Sequence, residues 1–234
     1  MQSKSIEIVI PCHNEADNII EIVVRSLVWL KKHTETYRVL IVDDGSTDGS
    51  QEKLLELIKL YPEHVAVIYH PTNLGIGQAW RTLYDNTSAD IIFTCPADLQ
   101  FDPEEFSPAI EHLDRVDIIS FYRNKKQDYN WFRNLLSWGN KKFNKIFFGL
   151  NIRDINWTKM YKKGLFEELK LESKTSLLET EILAKAKKKN KIIIELSSNQ
   201  YERINGESEG SGGKNTLKVL KDLFNVYGIV KKFK

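Results

Sequence analysis

Acidic side chains gather at three turns in the first hundred residues, and each turn follows a short apolar run. Residues 5–10 lead into Pro11-Cys12-His13-Asn14-Glu15, and residues 38–42 into Asp43-Asp44-Gly45-Ser46-Thr47-Asp48-Gly49. Residues 90–94 lead into Cys95-Pro96-Ala97-Asp98-Leu99-Gln100. A carboxylate accepts hydrogen bonds from base N–H groups and sugar hydroxyls, and a hard divalent cation takes oxygen ligands. Three such turns on one rim suit a sugar, a ribose and a cation together. Cys12 and Cys95 are not expected to bind metal, since no His or Cys lies at ligand spacing, and both are expected to be reduced thiols.

The elements needed to hold these turns are legible in the pattern around them. Each apolar run is β-branched, bounded by turn residues and followed by a helical period, which predicts buried strands in βαβ units. Helices are predicted over 16–32, 51–60 and 77–84, with a further strand over 65–69. Asp102-Pro103 opens another helix, with an N-cap and a proline in its first turn. A strand over 116–121 closes the series. Strands alternating with helices imply a central, mostly parallel sheet in an α/β domain. In such a sheet the carboxyl ends of the strands line one crevice, where ligands bind.

The second half has a different texture. Residues 131–150 carry an apolar helical stripe opposite a polar one that includes Arg133. A helix over 176–189, a strand over 191–196 and a last helix over 215–233 follow. Between them, residues 206–213 hold four glycines and two serines and read as a mobile loop or lid. One domain over 1–213 is expected, with 214–234 an amphipathic helix that belongs to it or lies on a membrane.

The net charge of +2 hides an uneven distribution. Between Phe121 and Leu150 seven Lys or Arg stand against Asp128 alone, interleaved with aromatics. That mixture suits an anionic lipid surface or a pyrophosphate, and the acidic rim turns make nucleic acid the poorer partner. No run approaches the ~18–20 apolar residues of a membrane span, and no apolar targeting segment precedes the first strand. The expected location is cytoplasmic, soluble or peripheral on the membrane.

The motifs resemble the inverting, nucleotide-sugar-dependent glycosyltransferases of GT-A fold, nearest the dolichyl-phosphate mannose synthase and polyprenyl-phosphate glycosyltransferase branch. The resemblance is carried by Ile10-Pro11-Cys12-His13-Asn14-Glu15, Val42-Asp43-Asp44-Gly45-Ser46, Asn73-Leu74-Gly75-Ile76-Gly77 and Ala97-Asp98-Leu99-Gln100. Tyr122-Arg123, Glu181-Ile182-Leu183 and the run from Tyr201 to Ser208 continue it, in the family's order, over residues 5–210.

The resemblance implies a Rossmann-like GT-A domain and a role for each matching position. Nucleotide-sugar contacts fall at Pro11, His13, Glu15, Val42, Asp43, Asp44, Ala97, Asp98, Gln100 and Arg123. Glu15 and Asp44 would hold base and ribose between walls formed by Pro11, His13 and Val42. Asp98 and Gln100 would ligate Mg2+ or Mn2+, while Arg123 and Arg203 would bind phosphate and join Asp98 in catalysis. Arg133, Asp154 and Arg203 would serve the acceptor. The chain departs from the pattern at His13, where an aromatic is common, and at Pro96, where an aspartate is. It departs again at Trp157 and Thr158, which replace a small residue and a glycine, and at Glu209, which replaces a lysine.

The activity so implied is transfer of a hexose from a UDP- or GDP-sugar to a polyprenyl phosphate or related membrane acceptor, with inversion. Alternatives are a transferase that extends a saccharide of a surface polysaccharide or lipopolysaccharide, with a glycan acceptor, and a nucleotide-sugar-binding protein without turnover. A lipid-phosphate acceptor arrives as an oxyanion and needs no strong base, whereas a sugar hydroxyl does. Asp154, at a position that matches a family aspartate, is the first candidate for acceptor-side work.

Overall fold

The computed structural model describes residues 4–124, 131–202 and 216–233, and of residues 131–138, 140 and 216–220 the backbone alone. Seven strands form one sheet: β1 (Ile6–Cys12), β2 (Tyr37–Asp43), β3 (Val65–Tyr69), β4 (Ile91–Thr94), β5 (Ile118–Arg123), β6 (Lys159–Lys162) and β7 (Ile193–Ser198). Their order is β3-β2-β1-β4-β6-β5-β7, and all run parallel except β6, which is antiparallel to both β4 and β5.

Both faces of the sheet are covered, which explains why its central strands are mostly apolar instead of alternating; the exception in β1, the buried Glu7, is paired with Arg38 of β2. Ile6, Ile8, Ile10 and Cys12 of β1 pack with α1 (Ile19–His33), α2 (Ser50–Leu60) and a 3₁₀ helix (Pro103–His112). Val9 of β1 and Leu40 and Val42 of β2 point the other way. There they meet α3 (Ile76–Asp85), α5 (Leu165–Leu169), α6 (Leu178–Lys188) and α7 (Thr216–Lys232). Each wholly buried Ile, Leu or Val contributes ~1.5–3 kcal/mol, so two such cores hold the sheet as a rigid platform. α4 (Trp131–Phe148) sends Phe143 and Phe148 against the second core.

β1 pairs with β2 on one side and β4 on the other, so the strand order reverses between β1 and β4. At such a switch point the loops leaving the two strands diverge and open a crevice at their carboxyl ends. The turns after Cys12 and Thr94 border it.

Several elements differ from the sequence expectation, each for a physical reason. The predicted helix after Asp102 is 3₁₀: the Asp102 carboxylate caps it by accepting from Glu104 N, but Pro108 inside removes a donor that an α-helix needs. α1 starts at Ile19 instead of residue 16, because Asn14 adopts a φ of 53° and residues 15–18 form a turn that leads into it. β6 and α5 were not expected. β6 is four residues with a lysine at each end, and its apolar pair, Met160 and Tyr161, divides between the two cores.

α7 packs against α6. Its stripe of Leu223, Val226 and Val230 is buried, and Lys188 Nζ on α6 donates to Val230 O and Phe233 O at its carboxyl end. Among the described residues no helix is long and apolar enough to cross a membrane. The expected loop at 206–213 lies outside the described residues.

Candidate functional site

The first two rim turns are laced to each other by short polar side chains. Ser46 Oγ accepts from Asn14 N (3.0 Å), Ser50 Oγ from Glu15 N (3.0 Å), and Asp48 Oδ2 from Ala16 N (2.9 Å). Asn14 returns the contact, its Oδ1 accepting from Thr47 N at 2.8 Å. Burial alone would raise the Asp48 pKa. The Ser50 hydroxyl and the N–H groups of Ala16 and Ser50 outweigh it and hold the carboxyl below its ordinary value. Gly45, at φ +70°, lets the backbone of Thr72 approach where a Cβ would sit 2.5 Å from its carbonyl carbon.

Asp43 and Asp44 are both buried, and their carboxylates are mostly used within the protein. Asp43 Oδ2 accepts from Gln51 Nε2 (2.7 Å) and Ser46 N (3.3 Å), while its Oδ1 is buried without a hydrogen-bond partner. Asp44 Oδ1 accepts from Leu74 N (3.0 Å) and from His70 Nδ1 (2.6 Å), and Oδ2 from Gly75 N (2.8 Å). The far nitrogen of His70 lies 2.9 Å from Thr82 Oγ1 on α3. Asp44 thus shapes the turn from residue 70 to 75 instead of standing open to a ligand. His70 was missed in the sequence, although it directly follows the apolar run of β3 as the acids follow theirs.

Pro11 and His13 are half-buried on the β1 turn, and Val42 is buried at the end of β2. Asn73 Nδ2 donates to His13 Nε2 at 2.9 Å, so the imidazole is oriented by the turn that Asp44 holds. Glu15 is half-buried, its Oε2 accepting from Asn18 Nδ2 at 2.7 Å, and its carbonyl accepts from Asn18 N and Ile19 N at the start of α1. Tyr69, exposed at the end of β3, has its phenol pKa raised by burial and by Asp43.

The third turn carries strain. Leu99 adopts φ 59°, a left-handed conformation that a branched side chain rarely takes, and strain of this kind concentrates at functional sites. It folds Gln100 N back onto Asp98 Oδ1 at 3.1 Å and leaves Asp98 half-buried beside the buried Ala97. Gln100 is half-buried, and its carbonyl accepts from Tyr201 N at 3.0 Å, which runs the chain leaving β7 past this turn. Cys12 and Cys95 sit at the floor. Burial, then the negative charge of Asp43, pushes the Cys12 thiol up to about 12, and burial with Asp98 nearby raises Cys95 as well.

At the carboxyl end of β5, Arg123 meets Asp154 from the loop before β6. Arg123 Nε lies 2.7 Å from Asp154 Oδ2 and a terminal nitrogen 3.1 Å from Oδ1, a bidentate pair with side chains 15% and 6% exposed. The guanidinium also stacks over Trp157, 4.8 Å from the ring centre, and Trp157 Nε1 donates to Ser198 Oγ at 2.9 Å. Two residues expected to serve different substrates are therefore partners. Arg133 lies on α4, where the backbone alone is described, and Arg203 lies outside the described residues.

A second polar network ties α3, α6 and β6 together. Glu179 accepts the hydroxyls of Tyr84 and Tyr161 and pairs with the buried Lys159, 3.3 Å away. Burial and the Glu179 charge raise both tyrosine pKa values well above the ordinary range. Glu181 is wholly buried with Lys185 and accepts from Glu172 N and Ser173 N. The loop so held packs on Gly77 of α3, where a Cβ would lie 2.2 Å from the Thr175 carbonyl.

Three solved structures share this architecture. Glucosyl-3-phosphoglycerate synthase from Mycobacterium tuberculosis, in complex with Mn2+, UDP and glucosyl-3-phosphoglycerate, is 15% identical with a TM-score of 0.72, over 96% of this chain and 80% of that one. The same synthase with Mg2+ and UDP gives 15% and 0.70 over the same shares. Mannosyltransferase PcManGT from Pyrobaculum calidifontis, with GDP-Man and Mn2+, gives 16% and 0.63 over 94% of this chain and 61% of that one. Identities this low establish the shared fold. The sequence itself matches the model of glycosyl transferase family 2 over residues 7–170, more than half of the chain. The chain belongs to glycosyl transferase family 2.

Proposed function

We propose that this protein transfers a hexose from a UDP- or GDP-sugar to a polyprenyl phosphate, with inversion at the anomeric carbon. The observation that carries the proposal is the grouping of acids on the rim at the ends of β1, β2 and β4, with Asp98 half-exposed on a strained turn. Family membership and the UDP and GDP-Man bound by proteins of the same fold support it.

Glu15 and the His13 ring would meet base and ribose, with Pro11 and Val42 as walls. Asp44 would act on them through the turn that carries Asn73. Among the described residues no group of three His, Cys, Asp or Glu is placed to hold a metal. One rim carboxylate fits a cation that shares its ligands with a diphosphate, and does not fit one caged by protein alone. Asp98 with the Gln100 amide would hold it, and Mg2+ or Mn2+ there would offset the charge of the departing diphosphate.

The Arg123–Asp154 pair bears on the acceptor. Both carboxylate oxygens of Asp154 accept from the Arg123 guanidinium, a bidentate ion pair. Glu179 is similarly engaged by two hydroxyls and Lys159. With both carboxylates occupied, an acceptor that brings its own oxyanion fits better than a neutral hydroxyl. Attack in line with the departing diphosphate then inverts the centre, and positioning supplies the rate.

The test uses labelled UDP- and GDP-hexoses with Mn2+, each offered a polyprenyl phosphate in detergent and, separately, an oligosaccharide. Label in the lipid fraction is the expected result. Label in the oligosaccharide alone would replace the lipid acceptor with a glycan, and donor binding without transfer to either would mark a binding protein.

A further inference from the structure

We propose that the seam between α4 and α7 is a docking surface for an anionic lipid bilayer. The apolar stripe of the last helix has two readings in the sequence, packing on the domain or lying on a membrane. Leu223, Val226 and Val230 are buried, while Phe224 of the stripe is exposed. The part of α7 left outside carries Phe224, and α4 lies beside it.

Aromatic rings join the two helices. Phe143 stacks on Phe147 at 4.3 Å and meets Phe224 edge-on at 5.8 Å, and Phe147 meets Tyr227 at 5.2 Å. Despite these contacts Phe147 remains 43% exposed, Phe224 60%, and Ile146 beside Phe147 70%. Large apolar side chains grouped on a surface and held rigid by their neighbours mark a binding face.

Charge selects the partner. α4 and α7 carry Arg133, Lys141, Lys142, Lys145, Lys218, Lys221, Lys231 and Lys232 against one acid, Asp222. Lys141, Lys145 and Lys221 are exposed on the helices that bear the apolar tips. A bilayer with acidic headgroups rewards both features, since basic side chains sit among the phosphates while apolar tips enter the acyl boundary. Nucleic acid would leave Ile146 and Phe224 without a partner.

The experiment is co-sedimentation of the full chain with vesicles of phosphatidylcholine alone and of equimolar phosphatidylcholine and phosphatidylglycerol. Truncating α7 is not a clean variant, since it would uncover the core. Lys145→Glu with Lys221→Glu, and separately Ile146→Ser with Phe224→Ser, change exposed atoms, and thermal unfolding checks that each variant folds. The expected result is binding to the acidic vesicles that falls as salt rises. Charge reversal should weaken it by about tenfold or more at low salt, and the apolar pair should weaken it at every salt concentration. Equal recovery in the supernatant with both vesicles would overturn the proposal, as would wild-type sedimentation of both folded variants. No turnover is read, so a negative result leaves the donor chemistry standing.

Discussion

Arg123 and Asp154 form a largely buried bidentate ion pair at the end of β5, with Trp157 beneath the guanidinium. Their side chains come from the end of β5 and from the loop before β6, so the pair ties the parallel strand to the antiparallel one. Removing one partner strands a charge, which costs about 3–5 kcal/mol, while removing both costs less. Asp154→Ala should therefore lower the urea midpoint more than the Arg123→Ala/Asp154→Ala double variant does. If Asp154 were a general base standing apart from Arg123, Asp154→Ala would instead abolish turnover at near-normal stability.

Asp44 and Glu15 should separate in the same kind of measurement. Asp44 accepts from two backbone N–H groups and His70 in a buried site, so Asp44→Ala should cost stability by ~2–4 kcal/mol as well as nucleotide affinity. Glu15→Ala, at a half-buried position, should weaken nucleoside diphosphate binding by ~1–3 kcal/mol with a smaller change in stability. Denaturation and calorimetry on both variants check the split.

Much of this was legible in the chain, and the residues show where legibility stops. β3 was read at its true bounds because Val65–Tyr69 is apolar between polar turns. The three acidic turns follow from their places after strands. Partners across the fold left no such trace: Asp154 sits 31 residues from Arg123, and His70 sits 26 residues from Asp44. Period and turn chemistry are local signals, whereas these pairs depend on which strand ends the sheet brings side by side. β6 escaped because two lysines conceal a strand whose Lys159 is neutralised inside the core by Glu179.

Cys12 and Cys95 should resist alkylation in the folded protein. The nucleophile is the thiolate, and with Cys12 pushed up to about 12 and Cys95 also raised it is scarce at pH 8. Iodoacetamide at that pH should modify neither until denaturant is added. Rapid native labelling of either would contradict the burial of the crevice floor.

Asp48 gives the rim an acid limit. Its folded pKa lies below the ordinary 3.8, so its contribution is whole above that value and is lost as pH falls through the lower folded value. Asp48→Asn should reduce stability at neutral pH and flatten its decline below about pH 4. Urea midpoints of both proteins across pH 2–7 would show it, and parallel curves would rule Asp48 out as the source.

Binding of UDP and GDP to the wild-type protein and to Asp98→Asn, followed by titration calorimetry in Mn2+ and in EDTA, tests the shared-cation rim most directly. One of the two nucleotides should bind in Mn2+. Its affinity should drop at least about tenfold in EDTA, and by a similar factor in Asp98→Asn, with the unfolding temperature of the variant unchanged. Affinity that is indifferent to both EDTA and Asp98→Asn, or no binding of either nucleotide, would contradict it.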